Sequence, residues 1–117
     1  MRPSVLIVDD HPGFRASARR MLESEGFEVV GEAGDGPSGI AAAAELAPGL
    51  VLLDVQLPGM DGFAVAERLT ANGDGPDVIL TSTRDGSEFG SLVAESGARG
   101  FVAKSELSAE LIRELVR

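Results

Sequence analysis

A small set of residues could do chemistry together: the paired acids Asp9 and Asp10, the single acid Asp54, the hydroxyls Thr81 and Ser82, and the amine of Lys104. Carboxylates within a few ångströms of one another repel and raise each other's pKa values unless a cation lies among them. A hard divalent ion such as Mg2+ meets that need. It takes only one or two carboxylates and keeps several waters, which leaves room for phosphate oxygens in its shell. Lys104 and the Ser82 hydroxyl, added to such an ion, would hold the oxygens of a transferring phosphoryl group by charge and hydrogen bonding. Asp54 is then the candidate nucleophile, a carboxylate able to form an acyl phosphate.

Convergence of these residues depends on the elements that carry them. Short apolar, β-branched runs predict strands at Ser4–Val8, Glu28–Ala33, Leu50–Asp54, Asp77–Ser82 and Gly100–Lys104, and each is followed by a segment with helical spacing. In the first helix Phe14, Ala18, Met21 and Leu22 share a face, while Arg15, Arg19, Arg20 and Glu23 lie largely elsewhere. Pro12 suits its first turn and Gly26 its end. The run Ala41–Leu46 favours a second helix that stops at Pro48-Gly49. The last helix is expected to start after Ser105 or Ser108 and to carry Leu107, Leu111, Ile112, Leu115 and Val116. Strands alternating with helices imply a doubly wound α/β domain with a parallel sheet, whose ligands bind at the carboxyl ends of the strands. The acids, a hydroxyl and Lys104 stand at the ends of strands one, three, four and five, on one edge.

Composition bounds the function. The 117 residues, 44% of them apolar, suit one domain spanning 1–117. Cysteine is absent, so no disulfide framework or thiolate site is available, and the cytoplasm is the expected compartment. The apolar run Val5–Val8 is too short for a signal peptide or a membrane span. A net charge of −9 opposes direct binding to nucleic acid or an anionic membrane.

Taken in order, "VLIVDDH", "LVLLDVQLPGMDG", "VILTST" and "GARGFVAK" resemble the receiver domain of two-component response regulators, over essentially the whole chain. The resemblance implies a flavodoxin-like sheet of order 2-1-3-4-5 with five helices. It implies that Asp10 binds Mg2+ directly, with Mn2+ as a substitute, that Asp9 helps through water, and that the Gln56 backbone carbonyl completes the metal shell. Asp54 would accept phosphate from the phosphohistidine of a sensor histidine kinase or phosphotransfer protein, with Ser82 and Lys104 contacting it. Thr81 is the runner-up hydroxyl. Phe101 falls at the switch aromatic of the fifth strand, without the hydroxyl of a tyrosine. Apart from its own phosphorylation and dephosphorylation, no enzyme activity is expected.

Other readings compete. "GDGPSG" (Gly34–Gly39) fits the dinucleotide spacing G-x-G-x-x-G, but it follows the second strand, and too few strands remain for two mononucleotide-binding halves, so its glycines read as turn residues. An aspartyl-phosphate hydrolase would want an acid two past the nucleophile, where Gln56 stands. A phosphorylation-independent interaction module is the remaining alternative. His11 lacks a second nitrogen ligand and reads as a surface residue, and "PGMDG" (Pro58–Gly62) as a tight loop beside Asp54, while the resemblance implies that Arg84, two past Ser82, influences water access to the phosphate. Because the sequence stops soon after the fifth helical segment, output is expected in trans, to a protein target or a second copy. The expected face is the fourth helix, fifth strand and fifth helix, where Phe101, Lys104, Arg113 and Arg117 suggest an apolar, partly basic patch.

Overall fold

The computed structural model describes residues 3–84 and 86–117; Met1, Arg2 and Asp85 lie outside the described residues. Five parallel strands, β1 (Ser4–Val8), β2 (Glu28–Ala33), β3 (Leu50–Asp54), β4 (Asp77–Ser82) and β5 (Gly100–Ala103), form one sheet of order β2-β1-β3-β4-β5. The helices are α1 (Pro12–Ser24), α2 (Gly36–Leu46), α3 (Gly62–Thr70), α4 (Leu92–Glu95) and α5 (Ala109–Leu115). This is the doubly wound architecture expected from the alternating pattern, and both sheet faces are covered. Val5, Ile7, Leu50, Leu52, Ile79 and Val102 face Ala18, Leu22 and Ile112 from α1 and α5. Their alternates Leu6, Val8, Val51, Leu53, Val78 and Leu80 face Ala43, Val65 and Ala66 from α2 and α3.

Several boundaries differ from the sequence expectation, each for a local reason. β5 ends at Ala103, and Lys104 opens a 3₁₀ turn to Glu106. α5 begins at Ala109, at the later of its two expected starts, because the Ser108 side chain accepts from the Leu111 amide and caps the helix. Leu107 therefore packs on the core from ahead of the helix, and Val116 from its C-terminal cap. The fourth helical segment is the largest departure. It divides into a 3₁₀ turn at Gly86–Phe89 and the single turn α4, with Gly90 between them at φ 55° and Gly97 just beyond at φ 86°.

α2 corrects the reading of "GDGPSG" as a turn. The helix starts inside the motif: Asp35 Oδ1 accepts from the Ser38 amide at 2.8 Å, and Pro37 occupies the first turn. Gly39 is helical and lets α2 approach β1, since a Cβ there would stand 2.9 Å from a Val8 methyl. Gly34 lies in the bend ahead of the helix, as a turn residue, while Gly36 and Gly39 are helical and pack closely against Met60 and Val8.

Candidate functional site

The carboxyl edge of the sheet gathers the expected side chains. Asp54, the last residue of β3, is almost fully buried, and its Oδ2 accepts from Lys104 Nζ at 3.2 Å. Its Oδ1 accepts from the Gln56 amide at 3.0 Å. Asp9, just past β1, is 1% exposed and lies 2.7 Å from Lys104 Nζ through Oδ2. That contact is an ion pair without hydrogen-bond alignment, since Asp9 Oδ2 has no hydrogen-bond partner among the described residues. Lys104 thus bridges two acids, with its ammonium 4.4 Å from the centre of the Phe14 ring. Asp10 is the exposed member, 35% accessible. His11 is also exposed, as expected of a surface residue at the start of α1, but its ring turns back, with Nδ1 3.1 Å from both Asp9 Oδ1 and Asp10 Oδ1.

Local sequence explains why Asp54 is so enclosed. Gly62 opens α3 directly against the end of β3, where a Cβ would sit 2.2 Å from the Asp54 carbonyl oxygen. Its amide donates to the Val55 carbonyl at 2.8 Å, and Asp61 caps the helix by accepting from the Ala64 amide at 2.9 Å. "PGMDG" is therefore a tight loop as expected, and its final glycine lets α3 lie against the end of β3.

The electrostatics follow from burial. Desolvation pushes the Asp54 carboxyl up and the Asp9 charge adds to it, outweighing the Gln56 amide and Lys104, so the pKa lies above its ordinary value. Burial works against the Lys104 charge, but Asp9 and Asp54 prevail and raise its pKa. Asp9, Asp10, His11 and Asp54 offer ligand atoms within 4.8 Å of one another. Three carboxylates against one bridging ammonium leave an excess of negative charge and an oxygen-rich donor set, which fits a hard divalent cation.

The two hydroxyls separate by alternation. Ser82 falls on the Val78 and Leu80 side of β4, the side on which Phe101 packs, and its Oγ accepts from the Arg84 amide at 3.1 Å. Thr81 falls on the opposite side, opposite Asp54 in the ladder, and its buried Oγ1 lacks a hydrogen-bond partner among the described residues. Arg84 itself turns to Glu88, 3.8 Å away. Phe101 is partly buried, with its ring 5.3 Å from Phe89, whose ring lies 5.4 Å from Phe63.

The surface beside Phe101 is not basic as expected. Lys104 is turned into the acid pocket, and Arg113 is occupied by Glu25, donating to its carbonyl and lying over the Phe27 ring. A shallow groove there is lined by Gly86, Phe101, Ala103 and Leu111, with Glu106 and Glu114 on its walls. It is apolar with acidic edges.

Fold and site together define a flavodoxin-like α/β domain with a lysine-bridged acidic pocket at the carboxyl edge of its sheet. The chain belongs to the response regulator receiver domain family, which it matches over residues 5–116. It is 42% identical over 112 residues to the virulence factors putative positive transcription regulator BvgA of Bordetella pertussis, covering 96% of this chain and 54% of that protein. It is 40% identical over 112 residues to the DNA-binding response regulator MtrA of Mycolicibacterium smegmatis, covering 96% of this chain and 48% of that one. The chain thus spans about half the length of these curated relatives. Among solved structures, the signal receiver domain of the putative response regulator NarL from Mycobacterium tuberculosis superposes with a TM-score of 0.86 at 32% identity, covering 98% of this chain and 94% of that one. CheY in the CheX–CheY–BeF3–Mg2+ complex from Borrelia burgdorferi gives 0.84 at 25% identity, covering 97% and 86%.

Sequence reasoning missed one participant. Helical spacing puts Arg15 off the apolar face of α1, yet its Nη1 donates to the Asp9 carbonyl at 2.6 Å and its Nε to Glu32 Oε1 at 3.0 Å. Its position one residue from the apolar Phe14 was the only hint, and Glu32 on β2 gave none.

Proposed function

We propose that Asp54 accepts a phosphoryl group from a phosphohistidine on a sensor histidine kinase or phosphotransfer protein. The observation that carries this reading is the buried Asp54 carboxylate, with Lys104 Nζ at 3.2 Å and Asp9 and Asp10 close by. An Asp54 oxygen attacks phosphorus, the P–N bond of the donor breaks, and the imidazole leaves with the bonding electron pair. Asp9, Asp10, Asp54 and the Gln56 backbone carbonyl would hold Mg2+, or Mn2+ in its place, with Asp10 as direct ligand and Asp9 acting through water. Bound there, the cation supplies charge neutralisation for the transferring oxygens. Lys104 exchanges its contact with Asp54 for a phosphoryl oxygen, and Ser82 donates to another. The domain promotes its own phosphorylation and dephosphorylation and carries no other chemistry.

Moving Ser82 toward the phosphoryl group vacates space for the Phe101 ring and alters the β5 surface. That face then engages a downstream protein or a second copy of the chain, in the cytoplasm, with neither nucleic acid nor membrane as its own ligand. The net charge of −9 and the acidic groove support this reading. Asp54→Asn, which is nearly isosteric, is expected to abolish labelling by a small acyl phosphate or phosphohistidine donor while leaving the circular dichroism spectrum unchanged. Stoichiometric labelling of the variant would overturn the assignment.

A further inference from the structure

The peptide that joins Asp9 to Asp10 is held from one side. Its carbonyl accepts from Arg15 Nη1 at 2.6 Å, and the Asp9 amide donates to the Ala33 carbonyl of β2 at 3.0 Å. Both backbone polar groups of Asp9 are thereby fixed next to the acid pocket. The direction of that carbonyl sets how Asp10 leaves the strand end, and so where its carboxylate stands. Arg15 is in turn clamped. Its Nε donates to Glu32 Oε1 at 3.0 Å, and Glu32 Oε2 accepts from Arg19 Nε at 2.7 Å. Arg19 also reaches Glu23 at 3.3 Å, so a chain of charges runs from α1 across β2 to the Asp9–Asp10 peptide. The Arg15 side chain is 21% exposed and lies beside Gly34, where a Cβ would stand 3.6 Å from Nη1, an ordinary contact distance.

We infer that Arg15 is a positioning residue for the acid pocket: it orients the Asp9–Asp10 peptide for cation binding, and Glu32 and Arg19 hold it in place. The inference rests on the reading of that pocket as a divalent-cation site. Positioning and charge make opposite demands here. Removing a cation near a cluster of acids lowers repulsion and tightens binding of a second cation, whereas releasing the peptide weakens it. The planar guanidinium donates to a carbonyl and a carboxylate at once, which a lysine ammonium at this reach does less well.

The test is calorimetric titration with Mg2+ alone on the wild-type chain and on Arg15→Met, Arg15→Lys, Glu32→Gln, Arg20→Met and Asp10→Ala, with thermal unfolding of each. Arg15→Met is expected to weaken Mg2+ binding by about tenfold or more, Arg15→Lys and Glu32→Gln by less. Arg20→Met, the same charge change at an exposed position on the same helix, should leave affinity within about twofold, the scale of an exposed and screened charge. A merely structural role would lower the unfolding temperature and leave the affinity of the folded protein unchanged. Arg15→Met binding Mg2+ as tightly as wild type, or more tightly, overturns the inference. If Arg15→Met does not fold, wild-type affinity in both Arg15→Lys and Glu32→Gln overturns it equally. Failure of the underlying reading has its own signature, since wild type and Asp10→Ala would then take up Mg2+ equally or not at all, and the Arg15 inference falls with it.

Discussion

Asp9 and Asp10 are neighbours in sequence with different surroundings, and the difference decides what each substitution should do. Asp9 is buried and faces Lys104, whereas Asp10 is partly open to solvent and its carboxylate lies 3.1 Å from the exposed His11 ring. Asp10→Ala is therefore expected to weaken Mg2+ binding more than Asp9→Ala, whose loss should be about tenfold, the scale of a ligand-supporting group. Asp9→Ala should also disturb the Lys104 resonances by NMR, because it removes one of the two acids that the ammonium bridges. Equal calorimetric losses in the two variants would contradict this division. Asp9, Asp10, Asp54, Ser82 and Lys104 were legible in the sequence because each stands at the end of a short apolar run, and parallel strands bring their ends to one edge. Ser82 is preferred to Thr81 as the phosphate contact by its spacing from Lys104 in the family pattern, and alternation along β4 places it on the Phe101 side. Arg15 was not legible. Its role depends on a backbone carbonyl six residues away and on Glu32, and neither leaves a periodic mark.

At the scale of elements, strand ranges were read more accurately than helices, for a physical reason. Strands buried on both faces announce themselves as continuous apolar runs, whereas helix ends are set by single capping contacts such as Asp35 to the Ser38 amide and Ser108 to the Leu111 amide. The fourth helical segment is short because Gly90 and Gly97, both at positive φ, bound its single α-helical turn. The α1–β2 contact carries a pH dependence of its own. The hydrogen bond from Arg19, with that from Arg15, holds the Glu32 carboxyl below its ordinary value of 4.5 despite partial burial. A carboxyl depressed in the folded state contributes stability in full above its unfolded pKa, and that contribution is lost as pH falls through the lower folded value. Thermal unfolding of the wild type is expected to drop more steeply from about pH 5 to about pH 3 than that of Glu32→Gln, with the two curves converging at the acid end. Parallel curves over that range would mean that the Arg15–Glu32–Arg19 contacts are silent in solution.

For the whole molecule the question is how a phosphoryl group at one edge changes a surface beyond it. The rings of Phe63, Phe89 and Phe101 lie in sequence, linking α3, the 3₁₀ turn and β5, and the turn presses on Phe101 so closely that a Cβ on Gly86 would stand 2.7 Å from the ring. Movement of the Phe101 ring is therefore expected to be felt at that turn. None of the turn's residues is fully buried and Gly90 separates it from α4, so its rearrangement costs few packed contacts. Reversing a population from about 1:99 to about 99:1 needs a differential stabilisation of about 5.5 kcal/mol. Charge-assisted bonds from Lys104 and Ser82 to a phosphoryl group would supply part of it, at about 1.5–3 kcal/mol for each bond to a charged group. Ser82→Ala is therefore expected to accept phosphate, or to bind beryllofluoride with Mg2+, yet to lose most of the chemical-shift change at the Phe101 and Phe89 rings. Shift mapping with and without the mimic reads this directly. In the wild type the perturbation should extend over Gly86, Phe101, Ala103 and Leu111, the apolar part of the groove between Glu106 and Glu114. Ring shifts in Ser82→Ala as large as those of the wild type would show that the signal leaves the acid pocket by another route, and a response confined to α1 would remove the groove from the output altogether.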